Sequence, residues 1–250
     1  MVCRSQKYPL VQIQQYTGER VEGEQIVEFR LLYSGQLLGA SRNDTRASLK
    51  HEIRREFHPQ LRRLWASNDS LKDMARYMCN YWWPKHPSDE EELRRQGYSE
   101  QNPKAWTDAE IQHFGLCHLA EEWERFGCGF IPLITEKMCI RCALDILFLR
   151  PEEPGMLVHG GDLDNRVKTV FDALRLPKSL DELAGQKPQS DENPMYCLLE
   201  DDKLISEIRV VTDHLLLLPR ERLTGANDVF LVIHVKLEPP AKNEWSWVFR

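Results

Sequence analysis

A handful of carboxylates, one asparagine and one lysine stand at spacings that suit phosphate chemistry. Asp162, Asp164, Asn165 and Lys168 lie within GGDLDNRVKTVFDALRL, residues 160–176, and Asp201-Asp202 follow within LEDDKLI. Like-charged carboxylates gather at a cost unless a cation or a proton holds them. Oxygen-rich sets of this kind hold Mg²⁺ or Mn²⁺, which activate water and neutralise charge building on a phosphate. A lysine one helical turn past an aspartate adds a point charge for the transition state. The ordinary alternative is an N-capped amphipathic helix whose charged side is simply wet. Lys168 alone suffices to pair with Asp164, which leaves Asp162 and Asp172 unexplained. Taken alone, the cluster decides neither way.

The elements that must position these residues are legible around them. Gly160-Gly161 allow a tight turn. Val167, Val170, Phe171 and Leu174 then recur at helical spacing, which predicts a helix with Asp164 at or near its first turn and Asp162 just ahead of it. Asp164, Lys168 and Asp172, four apart, fall on a separate polar stripe. Asn165 orients a carboxylate or caps the helix, and Asp172 is expected to hold Lys168. Upstream, Ile140, Cys142, Leu144, Ile146 and Phe148 alternate and predict a strand over Met138–Leu149 running into the glycine turn. Downstream, Leu204, Ile208 and Val210 predict a strand from Asp202, with Glu207 and Arg209 outward. Val229 to Leu237 alternate as a last strand. Residues 177–196 between them read as a long loop.

The N-terminal half supplies a strand and helices. Residues 1–20 are polar and irregular, a loosely ordered arm. Val27, Phe29, Leu31 and Tyr33 mark a strand that Ser34-Gly35-Gln36 is expected to break. Leu49, Ile53, Phe57, Leu61 and Leu64 mark a helix in which Pro59 should make a kink or a fresh start. Between residues 42 and 63, seven basic residues face three acidic ones. Lys50, Arg54, Arg55, Arg62 and Arg63 are candidate phosphate contacts on this helix, because counterion release drives nucleic-acid affinity. A solvated basic face is the plainer alternative. Residues 68–129 read as a helical insertion, with one helix through Met74 and Tyr81 and another opened by the capping box Thr107-Asp108-Ala109-Glu110.

Composition sets the outer bounds. The chain has 250 residues, 42% hydrophobic and 29% charged, and a net charge of −6. A nucleic-acid surface would therefore be a local patch. No stretch is long and apolar enough to span a bilayer, and the N-terminus lacks an apolar signal core, so the expected partners exclude the membrane and the expected compartment is the cytoplasm. The seven cysteines are scattered and odd in number, which suits reduced core thiols. Cys139-x-x-Cys142 has metal-pair spacing, but on a strand its thiols would face opposite sides of the sheet, and His113, Cys117, His118 and Cys128 have no regular ligand spacing. Residues 1–250 read as one α+β domain. It is a mixed sheet of about four strands with helices on one side, in the order β-α-(helical insertion)-β-α-β-β.

GDLDNRVKTVFDAL followed by LEDDKLISEIRVV and a closing strand resembles the RusA family of Holliday junction resolvases. The resemblance covers residues 137–237 best. It implies a metal-dependent endonuclease acting on branched or double-stranded DNA in recombination and repair. Asp162, Asp164 and Asp202 would hold Mg²⁺ (or Mn²⁺), Lys168 would be the essential lysine, and Asp201 a fourth ligand or a neighbour that orients one. The resemblance also implies a homodimer, since a four-way junction has two symmetric strands to cut. The insertion, the acidic net charge and Leu204, where the family tends to place Gln, depart from the pattern. Two other classes stand beside it: a non-catalytic nucleic-acid-binding or interaction protein on the same scaffold, and an unrelated Mg²⁺-dependent phosphatase. The basic helix, and the absence of a nucleotide-cradling glycine loop, favour DNA over small phosphate esters.

Overall fold

Alternating side chains build the central sheet. In the computed structural model, residues 27–38, 43–82, 108–151, 163–185, 189, 192–216 and 227–238 are described. Strand β1 (Glu28–Gln36) pairs antiparallel with β6 (Asp228–Glu238), which pairs antiparallel with β3 (Arg141–Arg150). Strand β5 (Ile205–His214) lies parallel on the far side of β3, giving the order β1-β6-β3-β5. Leu31, Tyr33, Leu144, Ile146, Phe148, Leu231, Ile233 and Val235 are buried on one face, as a period of two requires. The architecture is the expected α+β fold on a mixed four-stranded sheet.

Helix α1 (Asn43–Ser67) joins that core through Leu49, Ile53, Phe57, Leu61 and Trp65, all buried. It runs unbroken through Pro59, against the expected kink or restart. Pro59 sits on the exposed side, where its missing N–H costs least. Next to it, the Gln60 amide donates to the Glu56 carbonyl (2.9 Å) and the Leu32 carbonyl (2.7 Å) and accepts from the Leu32 N–H (2.9 Å), tying α1 to β1. The restart comes at Asn68, whose carbonyl oxygen Oδ1 accepts from the Leu71 N–H (3.1 Å) and caps α2 (Asp69–Trp82), a standard N-cap bond. Strand β1 likewise continues through Ser34-Gly35. A Cβ at Gly35 would lie 2.8 Å from the Tyr33 hydroxyl, which donates to the Gln36 carbonyl. Glycine here makes room for a ring rather than a turn.

The insertion contributes α2 and α3 (Asp108–Glu122), which pack along each other and approach most closely at Gly115. A Cβ at Gly115 would sit 1.9 Å from the Ala75 carbonyl oxygen. Gly115→Ala should therefore force the helices apart and cost about 2 kcal/mol, a Tm lower by ~4–8 °C. An unchanged melting curve would show that the pair is not packed this way.

Two strands escaped the sequence reading. β2 (Phe130–Ile134) and β4 (Met195–Leu199) form a separate parallel pair, buried along their whole length. Strands covered on both faces are apolar throughout and lack the alternation that marks a strand. Helix α4 (Leu163–Leu174) falls where its periodicity puts it. Residues 1–20, the Gly160-Gly161 turn and Asp162 lie outside the described residues.

Candidate functional site around helix α4

Helix α4 sorts its charges between solvent and core. Val167, Val170, Ala173 and Leu174 are buried, while Asp164 and Lys168 are exposed and Asn165 is half-buried. The Asn165 carbonyl accepts from Thr169 Oγ1 (3.0 Å). Arg166, although charged, is buried and reaches Asn227 Oδ1 (3.1 Å) just ahead of β6. The polar stripe does not continue to Asp172. Each four-residue step turns about 40° on a helix of 3.6 residues per turn, so Asp172 stands about 80° round from Asp164. It is buried, and it holds Lys50 (2.6 Å) and Arg175 (2.8 Å) instead of the expected Lys168.

Asp172 belongs to an ion network joining α1, α4 and a 3-10 turn over Leu180–Leu183. Arg175 also pairs with Glu182 (2.9 Å) and donates to the Leu176 carbonyl (2.8 Å). Arg54, 1% exposed, donates to the Asp172 carbonyl (2.9 Å) and the Glu182 carbonyl (3.2 Å). Burial alone would raise the Asp172 carboxyl pKa, but Lys50 and Arg175 outweigh it and hold it below the usual range. Glu182 is lowered in the same way, against burial, by Arg175 and the Lys178 N–H.

The basic residues of α1 thus divide. Arg54 is interior, Lys50 is tied to Asp172, and Arg55 is ion-paired with Glu192. Arg62 and Arg63 alone of the five candidates are exposed. An open groove of about 710 Å³ between β1 and α1 includes Arg55 and Arg62, but also Glu52, Glu56 and Glu192. That acidic lining does not suit a phosphate.

The second carboxylate group sits on a 3-10 turn, Asp202–Leu204, rather than inside a strand. Asp201 caps the turn by accepting from the Lys203 N–H (3.1 Å) and pairs with Lys178 (2.9 Å), four residues beyond the end of α4. Partial burial raises its pKa, but bonds from Lys178, the Lys203 N–H and the neighbouring Asp202 carboxyl bring it far below the usual carboxylate range. Around it, Lys203 pairs with Glu136 (2.6 Å), and Glu200 accepts from the Glu136 N–H (2.7 Å). Nothing in the sequence marked Glu136, which the parallel run of β4 beside β2 brings here, or Lys178, which arrives through the bridge of Arg175 and Leu176 to Leu199.

Helix α4 touches the 202–204 turn, so the two carboxylate groups share one side of the sheet. They are anchored differently: the first turn of α4 is tied to the start of β6 through Arg166, and Asp201 to the chain past the helix end. Among the described residues, no three of Asp, Glu, His and Cys converge as a cation would require. Asp164 therefore does not join Asp201 and Asp202 in one group, and Asp162 lies outside the described residues. These residues alone do not fit a divalent cation. Cys139 is exposed on a turn and Cys142 is buried in β3. Cys117 Sγ lies 3.6 Å from His113 Nε2 with no third ligand among the described residues. Compared with family models, curated proteins and solved structures, the chain matches none.

Proposed function

We propose that this chain is a RusA-like, structure-selective endonuclease that hydrolyses phosphodiesters of branched DNA such as Holliday junctions. One observation carries the reading: α4 and the residue after it commit Arg166, Asp172 and Arg175 to the fold but leave Asp164 and Lys168 at the surface, one turn apart near the helix N-terminus. Backbone N–H groups at a helix start favour a phosphate there, and Lys168 would set an ammonium against the charge developing on it. Mg²⁺ or Mn²⁺ belongs to this reading through Asp162, Asp164 and Asp202, but no step is assigned to it, because the described carboxylates do not assemble around one point. Branched or double-stranded DNA, a homodimer and the cytoplasm complete the proposal. No helix among the described residues is long and apolar enough to cross a membrane.

The second reading is a non-catalytic DNA-binding or interaction protein on the same scaffold. The pairing of Asp201 with Lys178 and of Lys203 with Glu136, which occupies this turn's charges within the fold, favours it. One assay separates the two. The purified chain is offered four-way, duplex and single-stranded DNA, with and without Mg²⁺ or Mn²⁺. Metal-dependent nicking of the junction supports the nuclease. Junction binding without cleavage at any metal concentration leaves the second reading.

DNA binding itself should run through Arg62 and Arg63. Reversing both charges should weaken binding to every sequence alike and flatten the salt dependence by about 0.9 for each phosphate that the two arginines neutralise. Unchanged affinity for branched DNA would reduce these residues to a solvated face.

A further inference from the structure

Strand β5 ends the sheet and, among the described residues, pairs with β3 alone. Cys142 faces Ile205 and Ala143 faces Glu207, so Ser206 is an extra, bulged residue, its hydroxyl bonded to the Cys142 carbonyl (2.9 Å). From Glu207 to His214 the strand is regular, with Ile208 48% and Val211 36% exposed. A long edge of this kind presents unpaired N–H and C=O groups to another strand. Edges are commonly blunted by proline, a bulge or charged side chains; here the bulge lies at one end, residues 207–214 hold no proline, and the charges Glu207, Arg209 and Asp213 are of both signs and so can pair across an edge. Ile208, Val210, Thr212 and His214 share the helix side, while Glu207, Arg209, Val211 and Asp213 share the other.

We infer that β5 pairs antiparallel with β5 of a second copy of this chain, about a two-fold axis through Val211. The two four-stranded sheets then join into one of eight. Residues opposite each other in a ladder share a face, so the axis must pass through a residue, and the charges decide which. At Arg209 it would oppose two arginines. At Val210 it would set Glu207 against the partner's Asp213, twice. At Ile208 it would run Val210 into the partner's bulged Ser206, and at Thr212 it would set Val211 against the partner's Asp213. At Val211, Arg209 meets the partner's Asp213 on both sides of the axis, Val210 meets the partner's Thr212, and Ile208 the partner's His214. All seven positions lie in the regular stretch. Arg209 already bonds Asp145 through Nη1 (3.0 Å), and its remaining N–H groups can serve a second carboxylate.

A separate observation favours the same axis. Leu32, Val232, Leu147 and Val211 lie in register across all four strands, on the face away from the helices. Pairing at Val211 continues this apolar row straight into the partner's row, so that its exposed β5 end is covered. The inference rests on the sheet edge and not on the nuclease reading, and its test does not use cleavage.

Equilibrium sedimentation of the full chain over a concentration series should show a dimer. Arg209→Asp and Asp213→Arg each oppose like charges twice and should raise the dissociation constant on the order of tenfold or more. The chain carrying both changes restores both pairs and should recover the dimer, a result that misfolding could not imitate. Val211→Lys, two ammonium groups on the axis, should leave monomer. A monomer at every concentration, a dimer indifferent to the single changes, or a double variant that stays apart would overturn the inference.

Discussion

Lys168→Ala should slow cleavage of a four-way junction on the order of a hundredfold or more, because a preorganised group at a developing charge is worth about 3–4 kcal/mol. Asp164→Asn keeps size and packing and should cost cleavage a similar factor. Both side chains are exposed on α4, so neither change opens a cavity or strands a buried partner, and the Tm should stay where it was. Junction affinity should survive in both, since phosphate contacts elsewhere supply it. Asp164→Asn should bind slightly tighter, one negative charge beside the phosphates having gone. The comparison with Asp172→Asn is the sharpest part. Asp172 is on the same helix and in the same motif, but its partners are Lys50 and Arg175. Its change should lower stability and leave the rate at permissive temperature close to the parent's. If Lys168→Ala and Asp164→Asn both cut as fast as the parent, α4 is not the site of cleavage.

How far the sequence was readable follows from where each signal came from. β3 and β6 alternate because one face meets the core and the other meets water, and both were legible to within three residues at each end. α4 was legible for the corresponding reason at a period of 3.6. β2 and β4 were not, because FIPLI and MYCLL are buried on both sides and carry no period. Arg54 shows the same limit for charge. Beside Arg55 and Lys50 it reads as one more surface cation, yet it is the arginine whose side chain lies in the core, bonded to two carbonyls more than a hundred positions away. Only the tertiary fold brings those carbonyls to it. The candidate site was legible where it is local: Asp164 and Lys168 do share an exposed side. It was not legible where it is long-range. The link from α4 to Asp202 passes through residues 177–196, and that stretch sends Asp201 to Lys178. Asp172 failed for a geometrical reason, since a four-residue stripe drifts round the helix and by its third member has left the solvent face.

Asp172→Asn should lower the stability of the chain at neutral pH by about 2–3 kcal/mol, a fall in Tm of ~5–10 °C. Breaking a buried ion pair by removing one partner commonly costs about 3–5 kcal/mol. Here the lower figure applies, because Lys50 keeps some access to water and Arg175 keeps Glu182. The pH dependence identifies the cause. Against burial, Lys50 and Arg175 hold the Asp172 pKa below its usual value in the folded chain. A carboxyl with a depressed folded pKa stabilises the fold fully above its unfolded pKa of about 3.9, and that contribution is lost as pH falls through the folded value. The gap between parent and variant should therefore be constant from neutral pH down to about pH 5, narrow below about pH 4, and close in stronger acid. Glu182, depressed in the same direction, titrates in both proteins and so lowers both curves without producing the gap. Urea titrations of the two proteins at a series of pH values measure it directly. A variant as stable as the parent at pH 7, or a gap that persists unchanged to pH 2, would mean that the Lys50–Asp172–Arg175 network does not hold α1 to α4.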